Sequence, residues 1–528
     1  GRLDAYGALV GVKYDAELVR ATELTEDTTW PTSSFFPNVY LDGDLSIAED
    51  CTLTVSPGTI VYCAADSGIQ IVVAGGLRCE GDAENQVRFT SAADSPTAGD
   101  WDGIETPSGA GVLELENCVV EYAETGIWLR NGGEPPSTIR DCVFRENEFA
   151  HLDIFCDGDI EVTDCSFEVD SPFGIVVTNT SSPSGTVIDG CVIEGTENAS
   201  HGISVASGGP TLSGNTITDF DYGAGIRTKL GASPTITETT ISYCKYGIRC
   251  EGTSGPSIGE ASAVTKMVHC TSGIYTEDTS SPDVSGVEVD SCAVGIHTLD
   301  SSEPQVVSDN RIVHCDKGLY AMDTSEPYVR NTVFDSCEVY GAQVTFAADP
   351  NLGTWGDAGN NSFHPRYSCP NYRHVMGTKT RAAGLDSVRA VLNWWGTQSP
   401  GSNCFVGWVD HTPWLNSDPC EAGGGLIQTT ETLRYNPALW QNYPNPFSSN
   451  TMISYQVPNE GAHVSLRVYD VMGRLVRVLV EEPQTVGVHH VVWEGRRKDG
   501  RAMPAGVYFY EIEIGDDFRS TKKMGLVR

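Results

Sequence analysis

The sequence predicts an all-β chain: a right-handed parallel β-helix followed by an Ig-like β-sandwich. Three observations carry this. A Gly-Ile dipeptide or close variant recurs at Gly126, Gly174, Gly202, Gly225, Gly247, Gly273, Gly295, Gly318 and Gly341. Prolines keep the same beat, from Pro183, Pro210 and Pro234 to Pro304, Pro327 and Pro350. Finally, all 17 cysteines and all the excess acid lie before Asn436, so a compositional boundary separates two modules. The 528 residues carry 71 acids against 33 bases, a formal net charge of −38. That charge repels nucleic acid and anionic membrane surfaces, so neither is an expected partner. No run reaches the roughly 18 apolar residues of a membrane span, so membrane insertion is not expected.

Taken in order, residues 1–38 read as an N-terminal extension or cap. Leu3–Tyr14 has strand character, with Leu3 and Leu9 on one face and Val10 and Val12 on the other. It is expected either to fold back on its own solenoid or to donate a strand to a second copy, because an open solenoid end must be capped or paired. Residues 39–415 read as the β-helix. Each unit of 22 to 26 residues runs Pro-x-apolar, then Asn/Cys-x-apolar, then Gly-Ile, alternating with period two. A unit this short cannot bury its own apolar face and must stack on its neighbours. At about 4.8 Å per coil, about 16 coils make a rod of ~75 Å. Ile203, Ile226, Ile248, Ile274 and Ile296 should stack inside.

Two cysteine columns fit this stacking. Cys118, Cys142, Cys165 and Cys191 occupy the place held by Asn215, Asn310 and Asn331 in later units. Cys244, Cys270, Cys292, Cys315 and Cys337 precede the glycines. Small core fillers account for them better than a metal site, because one ligand per coil makes a line rather than a tetrahedral cage. Disulfides are more credible among Cys369, Cys404 and Cys420, outside the ladders. Residues 416–435, with three successive glycines and a Thr-rich stretch, read as a linker. Residues 436–528 break into alternating strands separated by turn signals, the pattern of an Ig-like sandwich.

Two resemblances sharpen this picture. The stretch LSIAEDCTLTVSPGTIVYC (Leu45–Cys63), GDWDGI (Gly99–Ile104), LNWWGTQSPG (Leu392–Gly401) and HTPWL (His411–Leu415) are similar to coils of secreted bacterial right-handed β-helix proteins. NYPNPF (Asn442–Phe447), VYDVMGRLVRVL, AGVYFYEI and the terminal TKKMGLVR resemble type IX secretion sorting domains and the Ig-like domain of flagellar hook-capping proteins. The resemblance implies a bacterial protein, exported and displayed on the cell surface or released. The chain starts without a charged-then-apolar leader, so any signal peptide is expected to be already removed or not included.

No standard catalytic signature is present, and no catalytic residue is assigned. SHGIS (Ser200–Ser204) and IRTK (Ile226–Lys229) are similar to polygalacturonase motifs, but the two opposed carboxyls that glycoside inversion needs are missing. Glu121, Glu168 and Glu194 share a register that could attract calcium, the one cofactor left open, although Arg145 interrupts it and a solvated face is the plainer reading. The strip richest in ligand chemistry is the outward position after each Gly-Ile. It reads Arg227, Arg249, Tyr275, His297 and Tyr320 on five successive coils, with Lys229, Glu251 and Glu277 two residues on. Bases there could neutralise uronates and aromatics could stack on sugar rings; ordinary cross-strand pairs such as Arg249 with Glu277 are the alternative. The expected function is therefore a non-enzymatic surface protein (adhesin, spacer or self-assembling appendage, with itself as partner), against a polysaccharide-active lyase or glycan-binding module.

Overall fold

The computed structural model describes residues 5–365 and 437–527, with short interruptions, and only 373–377, 388–390, 393, 405–407 and 409–410 between them. The interruptions are 33–34, 66–67, 108–110, 131–135, 157, 180–183, 197, 261–263, 354–357, 408, 440–441, 443–444, 449, 459–460, 485–486, 498–500 and 516–517. Two compact units result, Gly1–Leu426 and Ile427–Arg528.

The first unit is a parallel β-solenoid. Its strands fall into three long sheets of 15, 16 and 13 strands, each joining every third strand of the chain. Thirteen complete three-strand coils are therefore present among the described residues. Beyond them the first sheet continues to Ser362–Pro365 and the second to Phe405–Gly407. The repeat period sets the register. Leu45, Ile71, Ile104, Ile127, Leu152, Ile175, Ile203, Ile226, Ile248, Ile274, Ile296 and Leu319 follow one another rung by rung in the second sheet. All are fully or almost fully buried, so the expected isoleucine stack is inside. Burying one such side chain contributes about 2 kcal/mol, and the ladder repeats that gain on every coil. The glycine before each isoleucine is required by close approach. A Cβ on Gly273 would lie 2.8 Å from the Gly295 carbonyl oxygen and would clash with Val289 Cγ1.

Three expectations need correction. The N-terminal segment is not a strand: Ala5–Tyr14 forms an α-helix, α1, which lies against the first coil. Val10 is 2% exposed, whereas Leu9 and Val12 are 61% and 86% exposed, and Leu3 lies outside the described residues. The Tyr14 ring packs 4.9 Å from Tyr40 and 5.0 Å from Tyr62, and its hydroxyl donates to the Ala92 carbonyl at 2.7 Å. A helix satisfies its own backbone groups while covering an apolar coil end, which a lone strand does not. The solenoid also begins before residue 39. Strands β1 (Ala16–Val19), β2 (Thr22–Leu24) and β3 (Thr28–Trp30) form its first coil, with Ala16 opposite Asn38. Third, Asn331 is not in the cysteine column, because Thr332 pairs with Asn310 and Asn331 is exposed one residue outside it.

The remaining column members behave as core fillers. Cys118, Cys142, Cys165 and Cys191 are buried free thiols, as are all five of the second series. Where asparagine takes over, it works as a backbone clamp: Asn215 Oδ1 accepts the Cys191 N–H at 3.0 Å and its amide donates to the Ile188 carbonyl at 2.9 Å. Cys369, Cys404 and Cys420 lie outside the described residues.

The second unit holds two antiparallel sheets. One contains Ala438–Leu439, Thr451–Val457 and Gly487–Trp493; the other contains Leu475–Gln484, Ala462–Asp470, Gly506–Ile514 and Phe518–Leu526. Ile453, Tyr455 and Trp493 of the first and Val464, Leu466, Tyr510 and Ile512 of the second share a single buried core, as in a sandwich. The linker assigned to 416–435 lies outside the described residues.

Candidate functional site

The outward strip falls where alternation places it. Arg227, Arg249, Tyr275, His297 and Tyr320 are register partners on five successive strands of the second sheet. All five are half-buried, while the inward residues one position on, Thr228, Cys250, Thr276, Thr298 and Ala321, are fully buried.

Its charges close on one another. Arg227 donates through Nε to Glu251 Oε1 at 2.9 Å and through Nη2 to Glu251 Oε2 at 2.6 Å, a bidentate pair. Arg249 bridges the same Glu251 at 2.8 Å and Glu277 Oε1 at 2.6 Å. These side chains are only 12–28% exposed, so solvent screens them weakly. Burial alone would lower the Arg249 guanidinium, but the hydrogen bond to Glu277 and the charges of both glutamates outweigh it and raise it. The Tyr275 hydroxyl, pushed up by burial and then by Glu277, donates to Glu277 Oε2 at 3.4 Å.

The upper end of the strip is a ring stack. His297 stands edge-on to Tyr275 at 5.2 Å and parallel to Tyr320 at 5.0 Å, and the Lys317 ammonium sits 3.8 Å from the Tyr320 ring centre. Burial, then Lys317, pushes His297 down to about 4, so the ring is neutral at pH 7. Lys229 is half-buried and makes no ion pair. The arrangement ties adjacent coils together and engages both the Glu251 and the Glu277 carboxylates with arginines. Two surface recesses lie elsewhere: one on the third sheet around Arg78, Glu114 and Arg140, and one in the second unit around Met472, Met503 and Val507.

Of the acidic column, Glu168 and Glu194 are exposed register partners, and only Glu121 is closed. Glu121 is 2% exposed and its carboxylate takes Thr90 Oγ1 at 2.8 Å, Arg145 Nε at 2.8 Å and Arg88 Nη1 at 3.4 Å. Arg145 does stand in register between Glu121 and Glu168. Among the described residues no group of three or more His, Cys, Asp or Glu is placed to hold a metal ion.

The same outward column continues toward the N-terminus with residues the repeat pattern did not single out: Glu105, Trp128, Asp153, Val176 and Ser204. Arg130 lies 4.7 Å over the Trp128 ring and pairs with Glu105 at 3.1 Å, and Gln70 donates to Glu105 at 2.6 Å. His201, 9% exposed, has no hydrogen-bond partner on either ring nitrogen. Burial, then Arg227, Arg249 and Lys229, pushes it down to about 3.

Compared with known families, residues 102–261, 173–303 and 224–363 match the right handed beta helix region in three overlapping stretches. Residues 446–517 match the FlgD Ig-like domain. No curated protein sequence matches the chain. The chain is therefore a right-handed β-helix repeat protein that carries a FlgD Ig-like domain in its carboxy-terminal unit.

Proposed function

We propose that this β-helix protein is a bacterial, exported, non-enzymatic component of the cell surface, whose solenoid acts as a spacer or adhesin and associates with further copies of itself. The observation that carries the reading is the closed ladder Arg227–Glu251–Arg249–Glu277: the charges on the strip richest in ligand chemistry are bound to one another. The likeness of the carboxy-terminal unit to secretion sorting domains supports export. The helix over the first coil argues against strand donation as the route to assembly, leaving lateral or far-end contacts.

The test is a product-release assay with the purified full chain on polygalacturonate and on neutral polysaccharides, following new reducing ends and unsaturated uronate. The expected result is no release from wild type or from the Arg249→Ala, Tyr275→Ala double variant. Sustained release that the double variant abolishes would overturn the reading. Sedimentation velocity over a range of concentrations tests self-association, and a monomer throughout would remove that part.

A further inference from the structure

In the second unit, the outer face of the four-stranded sheet changes character along its strands. Leu466, Val468, Tyr508 and Tyr510 of the two central strands are buried inside the sandwich, so Arg467, Tyr469, Val507 and Phe509 between them point outward. Toward one end the face is apolar. Tyr469 stands between Leu475 and Phe509, and Leu475, Val507 and the turn residues Val471 and Met472 are 43–75% exposed. Exposed apolar residues scattered singly are ordinary, but neighbours on one face mark a contact surface. Toward the other end the face is ionic. Arg467 pairs with Glu481 at 3.1 Å and Glu513 at 3.7 Å, and Arg519 with Glu511 at 2.8 Å and Glu513 at 3.5 Å. Three carboxylates share two guanidinium groups there, a local excess of one negative charge. Beyond the apolar end the sign reverses: among the described residues Arg474, Arg497 and Arg501 border the recess beside Met472 and Val507, against the single acid Asp470.

An apolar band between charges of opposite sign is complementary to itself. A two-fold axis lying in the face and across the strands lays one copy's basic end over the other's acidic end, whereas an axis along the strands would set like on like. With the axis between the Tyr469 and Arg467 rows, Leu475 faces Val478 and Lys523 faces Thr521 of the second copy. Edge-to-edge pairing is disfavoured, because the edge strand Leu475–Gln484 is interrupted by two register shifts opposite Leu466–Arg467 and Val468–Tyr469. We propose that the second unit pairs with the second unit of another copy through this outer face, in an isologous, antiparallel sheet-on-sheet contact. This rests on the self-association in the proposed function and gives it a surface.

Sedimentation velocity of the full chain over a range of concentrations tests it. The wild type should form a dimer, and Leu475→Glu, at an exposed position that leaves the core intact, should weaken it by about tenfold. Two charge-reversed proteins carry the sharper test: Arg497→Glu with Arg501→Glu at the basic end, and Glu481→Lys with Glu513→Lys at the acidic end. Each should dimerise poorly alone, because like charges then face one another. Mixed in equal amounts they should dimerise as the wild type does, because opposite charges face one another again at both ends. Dimers of undiminished strength in Leu475→Glu, or a mixture no better than either protein alone, would overturn this surface and leave self-association to other contacts. A wild type that stays monomeric throughout would overturn both this surface and the self-association on which it rests.

Discussion

Acid should weaken the solenoid through its buried histidines, and His151 isolates the effect. It stands in a column held by glycine on the neighbouring coils, opposite Gly126 on one side and Gly174 on the other, and its side chain is fully buried. Its Nδ1 accepts from the Asn147 amide at 2.8 Å and its Nε2–H donates to the Glu168 carbonyl at 2.9 Å, so the ring is held neutral. Burial pushes it from 6.5 down to about 4, with the Glu168 carbonyl opposing. Between those pH values the unfolded chain binds a proton that the folded chain refuses. Stability therefore falls as pH drops through 6.5 and levels off below about 4. At pH 5 the loss relative to pH 7 is about 2 kcal/mol from this residue alone. Asp170, raised to about 6 by burial and then by Glu146, acts in the opposite sense, while His201 and His297 act in the same sense. The wild type is therefore read against His151→Gly, which restores the residue usual in the column and leaves Asn147 its bond to the Val120 carbonyl. Urea unfolding at pH 7, 6 and 5, followed by circular dichroism, should show His151→Gly less stable at pH 7 but losing about 2 kcal/mol less on acidification. Equal losses in both proteins would refute the argument.

Three further outcomes follow from the ladders. Thr228, Thr276 and Thr298 each bond the serine of the next coil at 2.9–3.1 Å, but Cys250 stands in that series and Ser280 Oγ is left buried without a partner, so Cys250→Thr should stabilise by about 1 kcal/mol in urea. Gly273→Ala should cost about 1–3 kcal/mol, seen as a lowered urea midpoint, because the added methyl meets Val289 and the Gly295 carbonyl. Deleting residues 1–14 removes the cover of the first coil and should produce aggregates in size-exclusion chromatography, where the earlier expectation of strand donation would give a clean monomer.

Much of the solenoid was legible because its period is written twice, in the Gly-Ile beat and in the proline beat, and because inward and outward residues alternate without a slip from Ile203 to Ile296. The amino end was not. Leu3–Tyr14 is apolar on both alternating faces, a pattern that a short helix rich in alanine and glycine carries equally well, and β1 to β3 lack the Gly-Ile mark. Asn331 misled because it adjoins Thr332, the true column member. The Trp128–Asp153 face escaped notice because His151 replaces the glycine in that coil and interrupts the repeat. For the strip itself, sequence placed every residue on the outer face, but the choice between open ligand chemistry and closed ion pairs depended on where the arginine side chains lie.

The stability of Glu251→Gln tests the central claim, that the strip's charges hold the coils together. Glu251 receives both Arg227 and Arg249 while only 12% exposed, so loss of its charge should destabilise the chain by about 2 kcal/mol in urea at pH 7. A variant as stable as wild type, or more stable, would contradict the claim, because residues held in place for a ligand commonly reduce stability and their removal restores it.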